Sequence, residues 1–191
     1  MGRITAVEHV TLDGVMQSPG RADEDTRDGF GLGGWARRFS DPVQAAAMGE
    51  HLTDAHGALL LGRRTYQDFA GFWPRQTDNP FTEVLDKTQK YVASRILTEP
   101  LPWQNSTLLP GDAIATIAEL RQDLDLVVLG SGDLLRSLMR HDLVDEYLLL
   151  INPTVAGTGR RLFDGVELGD LRLVASTPTT TGVIIATYQR G

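Results

Sequence analysis

The stretch that decides the fold is LVVLGSGDLLRSL, residues 126–138, in which an apolar run leads into a glycine turn and then a helical pattern. The run contains two valines and stops at Gly130, which predicts a buried strand. Leucines at helical spacing predict a helix that begins near Asp133. Glycines let a backbone approach a ligand, and a helix N-terminus directs free N–H groups towards it. The junction is typical of a phosphate-binding turn. A plain strand–helix turn is the alternative. The Asp133 carboxylate would repel a phosphate at this turn unless its side chain caps the helix and points away.

The composition excludes several function classes. The chain has 191 residues, a formal net charge of −7 and no cysteine. The acidic balance disfavours nucleic-acid binding, and the lack of cysteine excludes disulfides, thiolate metal sites and a cysteine nucleophile. No apolar stretch is long enough for a membrane span, and Glu8 and His9 interrupt the region where a signal peptide would be apolar. We therefore expect a single cytoplasmic domain over residues 1–191 that has no membrane partner.

Predicted strands and helices alternate along most of the chain. Strands are predicted at residues 3–12, 58–61, 90–93, 107–109, 126–129, 144–151, 171–176 and 183–189. Helices are predicted at residues 42–55, 62–69, 81–88 and 112–122, and after Gly132. This alternation predicts an α/β fold with a mainly parallel central sheet and helices on both faces. No helix separates the last two strands, which predicts an antiparallel hairpin at the C-terminal edge.

Ligands of such sheets bind beyond the carboxyl ends of the strands. The loops at those ends are residues 12–14, 62–65, 94–95 and 130–133. Two of the loops carry arginine, at Arg63, Arg64 and Arg95, and the arginine fork binds two phosphate oxygens at once. NADPH needs at least two anion sites, because it carries a pyrophosphate and a separate ribose phosphate. For each arginine taken alone, a solvated surface side chain is the alternative.

The same segments resemble a known family. LLLGRRTYQDF, residues 59–69, resembles the glycine–arginine–threonine segment of dihydrofolate reductase, and KYVASRIL, residues 90–97, looks like the next strand of that fold. Residues 126–163 are similar to the reductase domain of riboflavin biosynthesis, with its Asp-Glu pair, proline and G-x-G-x-x-L-F segment. TLDG at residues 11–14 matches the S-L-D-G of the family. The ordered set covers the whole chain.

This resemblance implies a dihydrofolate reductase-like three-layer fold that binds NADPH. The residues that it would assign to the adenosine side and the pyrophosphate are Gly62, Arg63, Arg64 and Thr65. It would assign Ser94 and Arg95 to the 2′-phosphate. The residues that would enclose the pyrophosphate from the other side are Gly130, Ser131, Gly132, Asp133 and Leu134. The chain departs from the family in having Gly130-Ser131 where a glycine pair is usual, and Gly132 can compensate.

The substrate end differs from that of dihydrofolate reductases, which place an acidic residue on the first helix. Counting back from Gly62 by the family spacing reaches Ala46, so an authentic dihydrofolate reductase is not expected. Asp13, Glu50 and an ordered water are the candidate proton donors. Turn formation is the alternative role for Asp13, and an exposed helix position is the alternative for Glu50.

Two further segments bear on the substrate. Phe69, Phe72 and Trp73 would line an aromatic slot for a flat ring or belong to the core. The acidic, glycine-rich residues 20–34 would form either a lid or a merely mobile loop. The four histidines show no ligand spacing, so no metal site is expected. They are His9, His51, His56 and His141.

The sequence therefore predicts an NADPH-dependent reductase that transfers a hydride to a small heterocyclic or carbonyl substrate. The resemblance relates this substrate to pterins, pyrimidines or flavins, as in the 5-amino-6-(5-phosphoribosylamino)uracil reductases. The alternative is a non-catalytic nucleotide- or flavin-binding protein on the same fold. We also expect a homodimer, formed through the apolar residues 148–151 and the connection 152–163.

Overall fold

The structure, a computed structural model, describes residues 1–52, 57–167 and 169–191. Its centre is an eight-stranded sheet in the order β4-β3-β2-β5-β1-β6-β8-β7. The strands are β1 Ile4–Thr11, β2 Gly57–Gly62, β3 Lys90–Ala93, β4 Ser106–Leu108, β5 Asp125–Leu129, β6 Glu146–Asn152, β7 Leu171–Pro178 and β8 Ile184–Arg190. The six strands from β4 to β6 run parallel, and β8 pairs antiparallel with both β6 and β7.

Within the described residues, five α-helices cover the two faces of this sheet. They are α1 Pro42–Leu52, α2 Arg63–Phe72, α3 Pro80–Lys87, α4 Ala113–Leu120 and α5 Gly132–Arg140. Successive strand residues point to opposite faces, so Ala58 and Leu60 pack in one core and Leu59 and Leu61 in the other. The first core includes side chains of α4 and α5, and the second includes side chains of α1, α2 and α3. The result is a three-layer arrangement.

The predicted α/β class, the mainly parallel sheet and the antiparallel C-terminal hairpin are all confirmed. Strand β4 lies one residue earlier than predicted, and a short 3₁₀ turn, Trp73–Arg75, forms where a loop was expected. The predicted end of the first helix near Ala55 lies outside the described residues, as does His56.

Lys90 is a fully buried charged residue that joins β3 to the end of α3. Its Nζ donates to the carbonyl oxygens of Leu85, at 2.6 Å, and Thr88, at 2.7 Å. These carbonyls belong to the last turn of α3, which has no intrahelical partners for them. The ammonium also lies 4.4 Å from the ring centre of Trp103. Burial lowers the pKa of Lys90 to about 8.

This burial predicts a pH-dependent stability. Between pH 8 and its ordinary pKa of 10.5, Lys90 binds more protons in the unfolded chain than in the folded one, so its contribution to folding rises with pH. We expect Lys90→Met to be less stable than the wild type by about 1–3 kcal/mol at pH 10, where two carbonyls lose their donor. The difference should shrink towards pH 7. Urea unfolding at both pH values measures it, and a difference that does not change with pH would contradict the assignment.

Candidate functional site

A cavity of about 960 Å³ opens at the carboxyl ends of the central strands. Its floor includes residues of β1 and the end of β5, and its walls include α1, α2, the first turn of α5 and the loop 16–27. This is the sheet edge that the sequence predicts for a ligand. Two groups of charged side chains line the cavity. We call the arginines around Asp133 the basic end, and the carboxyl groups of Glu8, Glu24 and Asp68 the acidic end.

The two predicted glycine turns meet at the basic end. The backbone N–H of Gly62 donates to Ser131 Oγ at 3.0 Å, and the N–H of Ser131 donates to Thr65 Oγ1 at 3.0 Å. Gly130 and Ser131 both have positive φ, 59° and 60°, which makes the turn sharp. The serine that departs from the family pattern therefore binds the two turns together.

Four arginines surround Asp133 at the start of α5, and we call them the arginine cluster. Their distances to the Asp133 carboxylate are 3.4 Å for Arg27, 3.4 Å for Arg64, 2.6 Å for Arg136 and 3.6 Å for Arg160. Asp133 lies within the helix and does not cap it, since the cap position is Ser131. Burial opposes ionisation of Asp133, but Arg136 and the other guanidinium groups keep its pKa below the usual value.

The basic end keeps an excess of positive charge. Its four arginines contact three carboxylates, because Arg27 also pairs with Asp25 and Arg160 with Asp28. The Nε atom of Arg160 is buried and has no hydrogen-bond partner among the described residues. Guanidinium groups with unused donors beside a helix N-terminus fit an anionic ligand such as a phosphate.

The other predicted cofactor residues lie at the same sheet edge but outside the cavity lining. Arg63 donates to Gln67 Oε1 at 3.2 Å. Ser94 Oγ accepts hydrogen bonds from two backbone N–H groups of its own turn. Arg95 is exposed beyond the end of β3 and makes no ion pair with any described residue. Leu134 packs on the hydrophobic core. Binding of a cofactor by any of the predicted residues, inside or outside the cavity lining, stays a prediction.

Glu8 lies at the acidic end, on the central strand β1, and only 3% of its surface is exposed. Its Oε1 atom is buried and has no hydrogen-bond partner among the described residues. Burial and, to a smaller extent, the charge of Glu24 raise the pKa of Glu8 well above its usual value. The sequence analysis missed Glu8 as a site residue. Its signal was a carboxylate inside an apolar alternating strand, where an unpaired charge is costly.

Two more carboxyl groups that line the cavity are those of Asp68 and Glu24. Asp68, on α2, accepts a hydrogen bond from Arg21 through one oxygen, while its Oδ2 atom is buried without a partner in the described chain. Glu24 accepts from the backbone N–H groups of Gly20, at 2.7 Å, and Arg21, at 3.0 Å. Burial raises the pKa of both carboxyl groups. Carboxyl groups whose pKa is raised by burial are candidates for proton transfer to a ligand.

An aromatic wall closes the acidic end, and we define it as Phe69, Phe72, Trp73 and Phe81. The ring centre of Trp73 lies 6.3 Å from Phe69, 5.2 Å from Phe72 and 5.7 Å from Phe81. All four rings line the cavity, and three of them, including Phe69, also pack on the core. Binding of a flat ring by these side chains stays a prediction. The Trp73 Nε1 atom is buried and has no partner among the residues described.

Asp13 and Glu50, the predicted proton donors, do not line the cavity. The Asp13 carboxylate accepts hydrogen bonds from Thr11 Oγ1 and from the backbone N–H groups of Ala156 and Gly157. These bonds, that of Thr11 foremost, lower the pKa of Asp13. It therefore fastens a turn, the alternative that the sequence left open. Glu50 is exposed on α1. Proton donation by either residue stays a prediction that this placement does not favour.

The residues of α1 that line the cavity are Gln44 and Met48, and neither has an acidic side chain. Ala46, where the family spacing would put one, is exposed. The carboxyl groups that reach the cavity belong instead to β1, α2, α5 and the loop 16–27. That the chain is not an authentic dihydrofolate reductase stays a prediction.

The loop expected to act as a lid or to be mobile forms a wall of the cavity. Val15, Phe30 and Trp35 build a small core of their own beneath it, and Trp35 Nε1 donates to the carbonyl of Gln17 at 2.8 Å.

Within the described residues, no group of three or more His, Cys, Asp or Glu side chains is arranged for a metal ion. No helix in the described ranges is long and apolar enough to cross a membrane.

Comparison with known proteins agrees with this fold. The fold is similar to that of a protein from Shewanella sp. PV-4 that is named for riboflavin biosynthesis. The TM-score is 0.72, the sequence identity is 19%, and the alignment covers 99% of both chains. It is also similar to that of Enterococcus faecalis dihydrofolate reductase complexed with NADP(H). The TM-score is 0.63, the identity is 15%, and the alignment covers 100% of this chain and 97% of the other. A third similar structure is the Thermotoga maritima diaminohydroxyphosphoribosylaminopyrimidine deaminase/5-amino-6-(5-phosphoribosylamino)uracil reductase. The TM-score is 0.64, the identity is 14%, and the alignment covers 100% of this chain and 57% of the other.

A family model described as the RibD C-terminal domain matches residues 3–185. The match spans nearly the whole chain, includes both glycine turns, β1 and β7, and ends at the start of β8. This chain, with its reductase-type fold, is thus a member of the RibD C-terminal domain family.

Proposed function

We propose that this protein is an NADPH-dependent reductase that transfers a hydride to a small heterocyclic or carbonyl substrate. The observation that carries the proposal is the arginine cluster at the joined glycine turns, which opens into a cavity with acidic and aromatic walls. One end suits the anionic part of a dinucleotide, and the other suits a flat ring.

The residues fit the pyrophosphate of NADPH at the basic end. The arginine cluster offers several guanidinium donors, one of them the unpartnered Nε of Arg160. The turns at Gly62 and Gly130 bring backbone close to the ligand, and α5 adds the partial positive charge of its N-terminus. Arg95, free of ion pairs with the described residues, would hold the 2′-phosphate together with Ser94. That a structural neighbour is complexed with NADP(H) supports this cofactor.

When bound, NADPH supplies the hydride. The chain supplies the rest: the loop 16–27 keeps water from the cavity, and the aromatic wall orients a ring. The protonation of the substrate falls to a carboxyl group of the acidic end rather than to Asp13 or Glu50. A pyrimidine-, pterin- or flavin-related ring fits these walls, and the name of the Thermotoga maritima neighbour supports a pyrimidine-type ring.

The basic end predicts how NADPH affinity responds to charge. Arg64→Ala removes one guanidinium, and we expect the affinity to fall about tenfold. Asp133→Asn removes the carboxylate that competes with the phosphate for the arginines, and we expect affinity to rise about threefold or more. Isothermal titration calorimetry measures both. Arg172→Ala on β7 is the matched control and should bind like the wild type. No NADPH binding by the wild type, or weaker binding by Asp133→Asn, would contradict this site.

Arg95 provides a separate test of the cofactor. NADPH and NADH differ only in the 2′-phosphate, so Arg95→Ala should lower the affinity for NADPH about tenfold and leave that for NADH unchanged. Fluorescence titration with both nucleotides measures the difference. An equal loss for both nucleotides would place Arg95 elsewhere on the cofactor.

We further propose that the protein forms a homodimer through β7. The residues 148–151, expected to contact the partner, are enclosed between β1 and β8, so they are not free for a contact. β7 is the edge strand, all of its residues are exposed, and it carries Leu171, Leu173 and Val174. An edge with unpaired backbone groups and apolar side chains is self-complementary when a second copy pairs antiparallel with it.

Leu173→Glu would put a charge on this edge in each copy and should convert a dimer into a monomer. Light scattering after size-exclusion chromatography measures the mass, and Leu32→Glu, an exposed apolar site outside β7 and the connection 152–163, is the control. A wild-type monomer, or a Leu173→Glu dimer, would contradict the proposal.

A further inference from the structure

His9 is a half-buried histidine of β1 that lines the cavity and that the proposed function leaves unused. Strand β5 pairs with β1 only as far as Val7, so His9 lies on the stretch of β1 that borders the cavity. Because side chains alternate along a strand, His9 faces the same side of the sheet as Val7. The core on that side includes side chains of α1, α2 and α3.

The imidazole of His9 is oriented by Asn152, a fully buried residue of β6. The Nδ1 atom of His9 lies 3.5 Å from the Nδ2 atom of Asn152. That amide nitrogen also donates to the Leu150 carbonyl oxygen at 2.8 Å, a distance at which the amide oxygen in its place would be repelled. The amide therefore keeps this orientation although its Oδ1 atom has no partner among the described residues. Nδ1 of His9 thus faces an N–H donor and is the unprotonated nitrogen, which leaves the ring proton on Nε2.

The Nε2 atom of His9 makes no hydrogen bond with any residue that the structure describes. Burial lowers the pKa of His9 to about 4, and no carboxyl group contributes to this shift. The ring is therefore neutral at pH 7 and is not paired with the acidic end. Its Nε2–H group is a donor without a partner on a residue that lines the cavity.

We propose that His9 binds the substrate as a neutral hydrogen-bond donor, with its Nε2–H group donating to a carbonyl oxygen on a flat substrate ring. This inference rests on the proposed function, because it names a group of the substrate that the cavity receives. A donor that is held in place before binding stabilises negative charge that develops on such an oxygen, so the same contact would assist reduction of the carbonyl.

The charges near α1 favour an oxygen acceptor at His9. Helix α1 packs on this face of the sheet, and its two cavity residues, Gln44 and Met48, are uncharged. Arg37, in the 3₁₀ turn before α1, also lines the cavity and makes no ion pair with any described residue. A guanidinium attracts a group that carries partial negative charge, such as a carbonyl oxygen, and repels a cation.

The aromatic wall favours a flat ring beside His9. Three of its rings, those of Phe69, Trp73 and Phe81, pack in the same core as Val7 and therefore lie on the face of the sheet that His9 shares. Ring faces there allow stacking of a flat ligand. Trp73 Nε1, which is buried without a partner among the described residues, is a second N–H donor in this wall. A flat ring that bears carbonyl oxygens matches both the stacking surface and the donors.

The protonation of His9 is tested first on the ligand-free protein. Long-range proton–nitrogen correlation spectra at pH 7 distinguish an imidazole protonated on Nε2 from one protonated on Nδ1 and from the imidazolium. The chain has four histidines, and His9→Gln identifies the His9 signals by their loss. We expect the Nε2–H form, and either of the other two forms would overturn the proposal.

Two probes with the same bicyclic skeleton test the acceptor. 1-Indanone carries one carbonyl oxygen, indane carries none, and neither has an N–H group. We expect the wild type to bind 1-indanone at least about tenfold more tightly by ligand-observed NMR. Only 1-indanone should shift the His9 Nε2 signal. Equal affinities, no binding of either probe, or an Nε2 signal that 1-indanone leaves unshifted would overturn the proposal.

Variants of His9 separate its N–H group from its shape. His9→Phe keeps a flat ring and removes the donor, so the affinity for 1-indanone should fall about tenfold while that for indane stays unchanged. His9→Gln keeps an N–H donor and should bind 1-indanone more tightly than His9→Phe. His141→Gln, at an exposed position outside the cavity lining, is the control and should bind like the wild type.

Thermal unfolding checks that each variant is folded. Unchanged binding of 1-indanone by folded His9→Phe would overturn the proposal. Should His9→Phe not fold, the two probes and the Nε2 signal of the wild type decide the question.

A titration with NADPH separates this inference from the proposed function. Arg64→Ala should lose affinity for NADPH and keep the preference for 1-indanone, because Arg64 belongs to the arginine cluster. NADPH binding by a wild type that does not distinguish the two probes would overturn the inference alone. Preference for 1-indanone in a protein that does not bind NADPH would overturn the proposed function and leave the assignment of His9 standing.

Discussion

The parallel pairing of β5 with β1 on one side and β2 on the other is the constraint on which the candidate site depends. It aligns the carboxyl ends of three strands, so the turns after β2 and β5 meet above the sheet and β1 supplies the floor. The Ser131 hydroxyl then accepts from Gly62 while the Ser131 N–H donates to Thr65. These bonds satisfy two backbone N–H groups that start helices and fix α2 and α5 side by side.

The cavity formed in this way is divided by charge. At the basic end, Asp133 sits among four arginines and occupies the position that suits an anion. At the acidic end, Glu8 and Asp68 keep buried oxygens without partners. An unpaired buried polar group costs about 1–3 kcal/mol, so folding alone gives no reason for these groups to stay. In the proposed function, ligand groups bound at the cavity offset that cost.

The sequence predicted much of this arrangement and missed one part for a specific reason. The strands, the helices and the two glycine turns follow from local patterns, because each depends on residues within one or two turns of chain. Asp13 carried two interpretations, and the structure favours turn formation because Thr11, Ala156 and Gly157 all bind its carboxylate. Glu8 was overlooked because a carboxylate in a strand reads as an outward-facing residue until both faces of the strand are known to be buried.

The sequence by itself determined the order of strands and helices, the sharp turn at Gly130 and the lack of any cysteine chemistry. Only the tertiary structure decided which side chains share the cavity. Glu8, Asp68 and Trp73 come from a strand, a helix and a 3₁₀ turn, and Arg27, Arg136 and Arg160 come from three other segments. Local periodicity sets the face on which a side chain lies. The meeting of distant faces depends on strand order, register and loop path, which arise from packing of the whole chain.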